Sequence, residues 1–206
     1  ESGENGYGDA RRVQQGRYHR VFGQMDMRWP GEARMGPNFS AKCVNISLFN
    51  SLIAHCNRRN FQAAGANIIQ AFNNVVYNWG QKNCEYKNKD QRLDFVGNWY
   101  QYGPSTITPP TGTLVVDESD IGALFYARGN RDPRGDASID LDNWQMIQTV
   151  GGEQIPESFK DGHWSLSPVV NGPPIFEERA DLAKLHVLTG CGATRPTRDS
   201  ADTRIV

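Results

Sequence analysis

The stretch "IAHCNRRNF", Ile53 to Phe61, puts a histidine, His55, three residues before an arginine pair, Arg58 and Arg59. Its other residues are neutral. Two guanidinium groups beside an imidazole suit an anionic ligand, because planar guanidinium groups bind carboxylates through paired hydrogen bonds. The same residues also read as a solvated surface pair next to a structural histidine. The remaining histidines, His19, His163 and His186, form no cluster with His55. Two acidic runs, Asp117 to Asp120 and Asp136 to Asp142, could hold calcium by composition but lack EF-hand spacing, so solvated loops are the expectation. The four cysteines, Cys43, Cys56, Cys84 and Cys191, show no C-x-x-C pair, which disfavours zinc. Two disulfides and buried thiols both remain open. Asn38-Phe39-Ser40 and Asn45-Ile46-Ser47 are N-glycosylation sequons, so Asn38 and Asn45 are expected glycan sites in a secreted protein.

The elements that must position these groups follow from a repeat. "VNISLFNSLIAHCNRRN", "ANIIQAFNNVVYNWG", "LDFVGNWYQYGPST" and "ALFYARGNRD" share one plan: a short apolar run, a polar break, and in the first three a second apolar run. The second break residues are Ser51, Asn74, Asn98 and Asn130, spaced by 23, 24 and 32 residues. The longest spacing contains the insert "GPSTITPPTGT". A period in the twenties with polar corners signals a solenoid, and the Leu-x-x-Leu-x-Leu frame of leucine-rich repeats is absent. Parallel β-coils fit best. Asparagine tolerates the left-handed backbone of a sharp corner, and its amide can bond the Asn of the neighbouring coil. An antiparallel sandwich with hairpin turns is the competing reading.

The chain has 206 residues and a formal net charge of −1, so bulk charge suggests neither nucleic acid nor a membrane surface as partner. No apolar run reaches the roughly 20 residues of a membrane span. Residues 1–36, polar and glycine-rich with Arg11, Arg12, Arg17 and Arg20, read as an arm or loop, and residues 37–206 as the folded unit. Residues 131 to 180 read as long irregular segments. "RADLAKLHVLTG", Arg179 to Gly190, reads as a helix with Leu182, Leu185 and Leu188 at helical spacing. Arg198, Asp199, Asp202 and Arg204 read as a charge-paired tail.

Taken in order, these pieces resemble the pectate lyases of polysaccharide lyase family 1. The resemblance rests on "IAHCNRRNF", the intact "NNVVYNWG" of Asn73 to Gly80, Gly97-Asn98 with Gly103 to Thr106, Gly129-Asn130 with Asp142 to Trp144, and the tail from Val187-Leu188 to Asp202–Val206. It covers roughly residues 40 to 206. It implies the C-terminal half of a right-handed parallel β-helix, all-β apart from a C-terminal arm and short helix. Another chain or fragment would complete the N-terminal half.

The resemblance also implies secretion and cleavage of an acidic polysaccharide, polygalacturonate, by calcium-dependent β-elimination. Arg59 would be the catalytic base, Arg58 and His55 substrate-binding residues, and the Ca2+ ligands would lie outside this chain. An arginine base is demanding, since guanidinium in solution keeps its proton to above pH ~12. If both arginines sat on a strand, Arg58 would point to the opposite face from Arg59. Phe61 stands where the family has Pro, Gln62 where it often has Arg, and Phe49-Asn50-Ser51 where it has "HHN". These departures motivate the alternative of a catalytically inactive β-helix subunit with a glycan-binding or structural role.

Overall fold

The computed structural model describes residues 19–22, 36–40, 45–64, 68–80, 83–86, 91–107, 114–116, 123–149, 152–161, 176–191 and 200. It is mostly strands in parallel sheets, with few helices. The chain makes repeated circuits of three strands: β1 (His19–Phe22), β2 (Asn38–Ser40) and β3 (Asn45–Phe49); then β4 (Ser51–Ala54), β5 (Gln62–Ala64) and β6 (Ile68–Phe72); then β7 (Val75–Tyr77), β8 (Cys84–Tyr86) and β9 (Arg92–Val96). A fourth circuit holds β10 (Trp99–Gln101), β11 (Leu114–Val116) and β12 (Leu124–Arg128), and β13 (Ile147–Thr149) follows. Each strand pairs with its counterpart one circuit away, giving the orders β1-β4-β7-β10, β13-β11-β8-β5-β2 and β12-β9-β6-β3. Every named pairing is parallel. The antiparallel alternative is thereby overturned. Within the stretch read as an arm or loop, His19–Phe22 is a strand paired with Ser51–Ala54.

Equivalent residues stack because the register is constant. Ile46, Ile69, Leu93 and Phe125 form one column of the core, and Ile53, Val76 and Tyr100 another. Alternation then turns Leu52, Val75 and Trp99 outward on the β1-β4-β7-β10 sheet. Helix α2 (Ala180–Gly190) covers that face, burying Val187 against Leu52, Ala54 and Val75. The buried residues of α2 are Ala180, Ala183 and Val187, while Leu182 and Leu185 are exposed. Small side chains let the helix axis approach the sheet, and of the three leucines only Leu188 packs against that cluster. In the 131–180 region, α1 (Ala137–Leu141), two 3-10 turns and β13 replace part of the expected irregular chain. Ile139 and Met146 of these elements, and Ile155 just before the second 3-10 turn, extend the core.

The break residues form a buried column. Asn74 Nδ2 donates to Asn98 Oδ1 (3.0 Å), Asn98 Nδ2 to Asn130 Oδ1 (2.8 Å), and Asn130 Nδ2 to Asn143 Oδ1 (3.0 Å). Each Oδ1 also accepts the backbone N–H of the preceding circuit's break residue, from Ser51 through Asn130. Just before Ser51, Asn74, Asn98 and Asn130 the backbone is left-handed, at Asn50, Asn73, Gly97 and Gly129. Asparagine and glycine tolerate that region at low cost, which is why they recur there. Asn73 turns away from the column: its Nδ2 donates to Phe176 O (2.7 Å) and its Oδ1 accepts from Glu178 N (3.1 Å). A Cβ on Gly97 would lie 2.6 Å from Glu178 O, so the segment leading into α2 rests directly on this corner.

A candidate anion-binding corner

His55, Arg58 and Arg59 lie on the segment 55–61 that joins β4 to β5. Five non-glycine residues have left-handed backbone among the described residues. Three are asparagines, and the other two are His55 (φ 60°) and Arg59 (φ 55°). Such a conformation costs a side-chain-bearing residue roughly 1–3 kcal/mol and persists only where neighbours impose it. Here both neighbouring layers do so. On one side His55 N donates to Tyr77 O (3.1 Å), Gly80 N to Cys56 O (3.1 Å), and Asn60 N to Asn83 O (2.9 Å). On the other, Gly36 N donates to Arg58 O (3.0 Å) and Gln62 N to Pro37 O (2.8 Å). Two glycines permit this closeness. A Cβ on Gly36 would lie 2.2 Å from Arg59 O, and one on Gly80 would lie 2.0 Å from Asn57 Oδ1.

Arg58 and Arg59 are both half-buried. They are not consecutive residues of a strand: Arg58 makes an isolated bridge and Arg59 is left-handed. Strict alternation between opposite faces therefore does not govern them. His55 is half-buried, and its ring meets Tyr77 edge-on, with centroids 5.4 Å apart at 82°. Its Nδ1 lies 2.7 Å from Asn78 Nδ2. Burial holds its pKa below the ordinary histidine value. Phe61 and Gln62 are turned inward: Phe61 is 2% exposed and stacks on Phe95, and Gln62 is 3% exposed. Asn78, Gly80 and Gly36 are the supporting residues that motif reading of 53–61 alone misses. The signal for Asn78 and Gly80 was present in "NNVVYNWG", one period downstream.

The other expected groups separate from this corner. Among the described residues no group of three or more His, Cys, Asp or Glu could hold a metal ion. Asp136 caps α1 by accepting from Ser138 N (2.8 Å). Asp140 pairs with Arg131 and accepts from Asp132 N. Asp142 accepts from Gln145 Nε2. The run 136–142 is therefore committed to capping and pairing and does not fit a calcium site; Asp117 to Asp120 lies outside the described residues. Cys56, Cys84 and Cys191 are all fully buried. Cys43 and the tail residues Arg198, Asp199, Asp202 and Arg204 also lie outside the described residues. Asn38 and Asn45 fall on the outermost strands β2 and β3. Trp79 packs in the core against Tyr102.

A cavity of about 570 Å³ lies elsewhere, between Trp99, Gly129–Arg131 and the start of α2, and none of His55, Arg58 or Arg59 lines it. Its charges satisfy one another, as in Arg131–Asp140 and Arg179–Asp181. Lys184 stands over the Trp99 ring at 4.2 Å and donates to Gln101 Oε1, tying α2 to the sheet. No helix among the described residues is long and apolar enough to cross a membrane. Comparison with known proteins finds no matching family model and no similar curated protein.

Proposed function

We propose that the chain is part of a right-handed parallel β-helix of the pectate-lyase type, and that its 55–59 corner cleaves an acidic polysaccharide such as polygalacturonate by β-elimination. The observation that carries this reading is the left-handed backbone at His55 and Arg59, four residues apart, whereas every other left-handed position among the described residues is Asn or Gly. Strain tolerated at two chemically capable residues on one corner points to use rather than architecture. In the reaction the C5 proton, acidified by the adjacent C6 carboxylate, passes to Arg59, which can accept it only as the neutral guanidine. The C5–H electron pair forms the C4–C5 double bond as the C4–O bond to the leaving sugar breaks, and the departing oxygen takes a proton from solvent water. Arg58 and His55 bind the substrate.

The described residues supply no calcium site, so no step is routed through Ca2+; on this reading its ligands belong outside this chain. β1, β2 and β3 are the outermost strands of their sheets among the described residues. Their backbone edges suit strand addition by another chain or fragment that completes the N-terminal half. Secretion, with glycans on Asn38 and Asn45, belongs to the same reading.

A second reading, a catalytically inactive β-helix subunit with a glycan-binding or structural role, is favoured by Phe61 and Gln62. Both positions where the family pattern has other residues are given over to the core. The test is to incubate the intact assembly with polygalacturonate and calcium and follow ultraviolet absorbance of the unsaturated product. Product from the wild type and loss of it in Arg59→Ala support the lyase. Absence of product from both would sink it in favour of the inactive subunit.

A further inference from the structure

We propose that Asn78 is a positioning residue that locks His55 as the neutral tautomer protonated on Nε2, so that His55 offers an N–H donor to a carboxylate at the 55–59 corner. The ligand clause rests on the acidic-polysaccharide reading; the tautomer does not.

The assignment starts from a group whose role is unambiguous. The backbone N–H of Ser105 can only donate, and it lies 2.8 Å from Asn78 Oδ1. That contact fixes the Asn78 amide, so its NH2 group faces His55 Nδ1 at 2.7 Å. An amide NH2 can only donate, so Nδ1 must carry the lone pair and Nε2 the proton. The turn that presents Ser105 is itself closed: Thr106 N donates to Gly103 O, and Gly103 N to Thr106 Oγ1, both at 3.0 Å. A Cβ on Gly103 would lie 2.4 Å from the Asn78 Cβ, so glycine is required for the Asn78 side chain to lie there. Tyr77 holds the imidazole edge-on, and burial favours its neutral form.

Nε2 meets no partner among the described residues and is not one of the atoms sealed from solvent. The segment 55–61 has no acidic residue of its own that would compete with an anion for the His55 N–H. His55 in this tautomer has no nitrogen lone pair free for proton abstraction. It is a binding group, and the base must be sought elsewhere on the corner.

The test is long-range 1H–15N correlation on the labelled protein at neutral pH. The expected result is a His55 ring protonated on Nε2 in the wild type and a mixture of tautomers in Asn78→Ala. A wild-type ring protonated on Nδ1 overturns the proposal without any variant. Trigalacturonate is then titrated in, with a neutral galactose trisaccharide as control. A shift at His55 Nε2 with the acidic sugar only is expected. His55→Gln, whose amide N–H reaches a similar position, should retain affinity within about threefold, whereas His55→Leu should lose about tenfold or more. Trigalacturonate bound with Nε2 unmoved overturns the role of His55. No binding of trigalacturonate overturns the ligand clause and the polysaccharide reading together, while the tautomer result stands on its own.

Discussion

Asn98 sits in the middle of the amide column and offers a direct measure of what the column contributes. Its Oδ1 accepts from Asn74 N and Asn74 Nδ2, both at 3.0 Å, and its Nδ2 donates to Asn130 Oδ1 and Ala71 O, both at 2.8 Å. The residue is 1% exposed. Asn98→Ala removes all four bonds and leaves the buried Asn74 N–H facing a void that water does not readily enter. With about 1 kcal/mol for each of three ordinary bonds and about 1–3 kcal/mol for the orphaned Asn74 N–H, the expected loss is at least about 4 kcal/mol. For a chain of this size that lowers the melting temperature by roughly 8–16 °C. Ser51→Ala, at the end of the same column, loses only the Ser51 Oγ bond to Phe49 O, or about 1 kcal/mol. Thermal and denaturant unfolding followed by circular dichroism compares the two. Asn98→Asp supplies a control with a pH signature. Its carboxylate would face two acceptors, Asn130 Oδ1 and Ala71 O, so burial would raise its folded pKa and the variant should regain stability as pH falls. If Asn98→Ala costs no more than Ser51→Ala, the column is an ornament of the fold rather than a support.

Three further outcomes follow from the corners. His55 has a folded pKa depressed by burial, so its contribution is fully present above the unfolded value of about 6.5 and is lost as pH falls through the folded value. The wild type should therefore lose stability between neutral and mildly acidic pH more steeply than His55→Gln in matched unfolding titrations. Gly36→Ala would set a methyl 2.2 Å from Arg59 O; because the obstacle is backbone, the cost should be about 1–3 kcal/mol, with loss of whatever activity Arg59 supports. Asn73→Gly keeps the left-handed corner but removes two bonds to Phe176 and Glu178. Hydrogen exchange should quicken across residues 176–191 while the column at 74, 98 and 130 stays protected.

The column was legible in the sequence because one residue type performs one task at a nearly constant period. The amide must bond up and down the stack, so the side chain cannot vary without leaving a buried group unpaired. Its last rung was not legible, since Asn143 follows Asn130 by only 13 residues and is carried on a 3-10 turn. Helix α2 was legible, but its docking face was not, for a related reason. Helical spacing of Leu182, Leu185 and Leu188 identifies an apolar stripe, but the sheet buries Ala180, Ala183 and Val187 and takes only Leu188 from that stripe. The strand at His19–Phe22 carries basic residues and lies in a polar stretch, so its pairing with Ser51–Ala54 depends on a partner distant in sequence. At the candidate site, residue types suggested anion chemistry, but nothing in "HCNRRNF" discloses that its backbone is left-handed at two positions.

The two kinds of corner in this chain differ in which residues carry the left-handed backbone. Where β3, β6, β9 and β12 end, the left-handed positions are Asn50, Asn73, Gly97 and Gly129, residues for which that conformation is cheap. Where β4 ends, they are His55 and Arg59, for which it is not. One circuit later the position equivalent to His55 reverts to Asn78, whose amide completes the contact to the imidazole. An asparagine at position 55 would satisfy the backbone at lower cost, and it could still meet Asn78. What asparagine could not do is place a donor a ring's width further out while its inner atom is engaged. The histidine therefore gains reach at the expense of backbone comfort, and on the proposed reading that reach is what meets the acidic sugar.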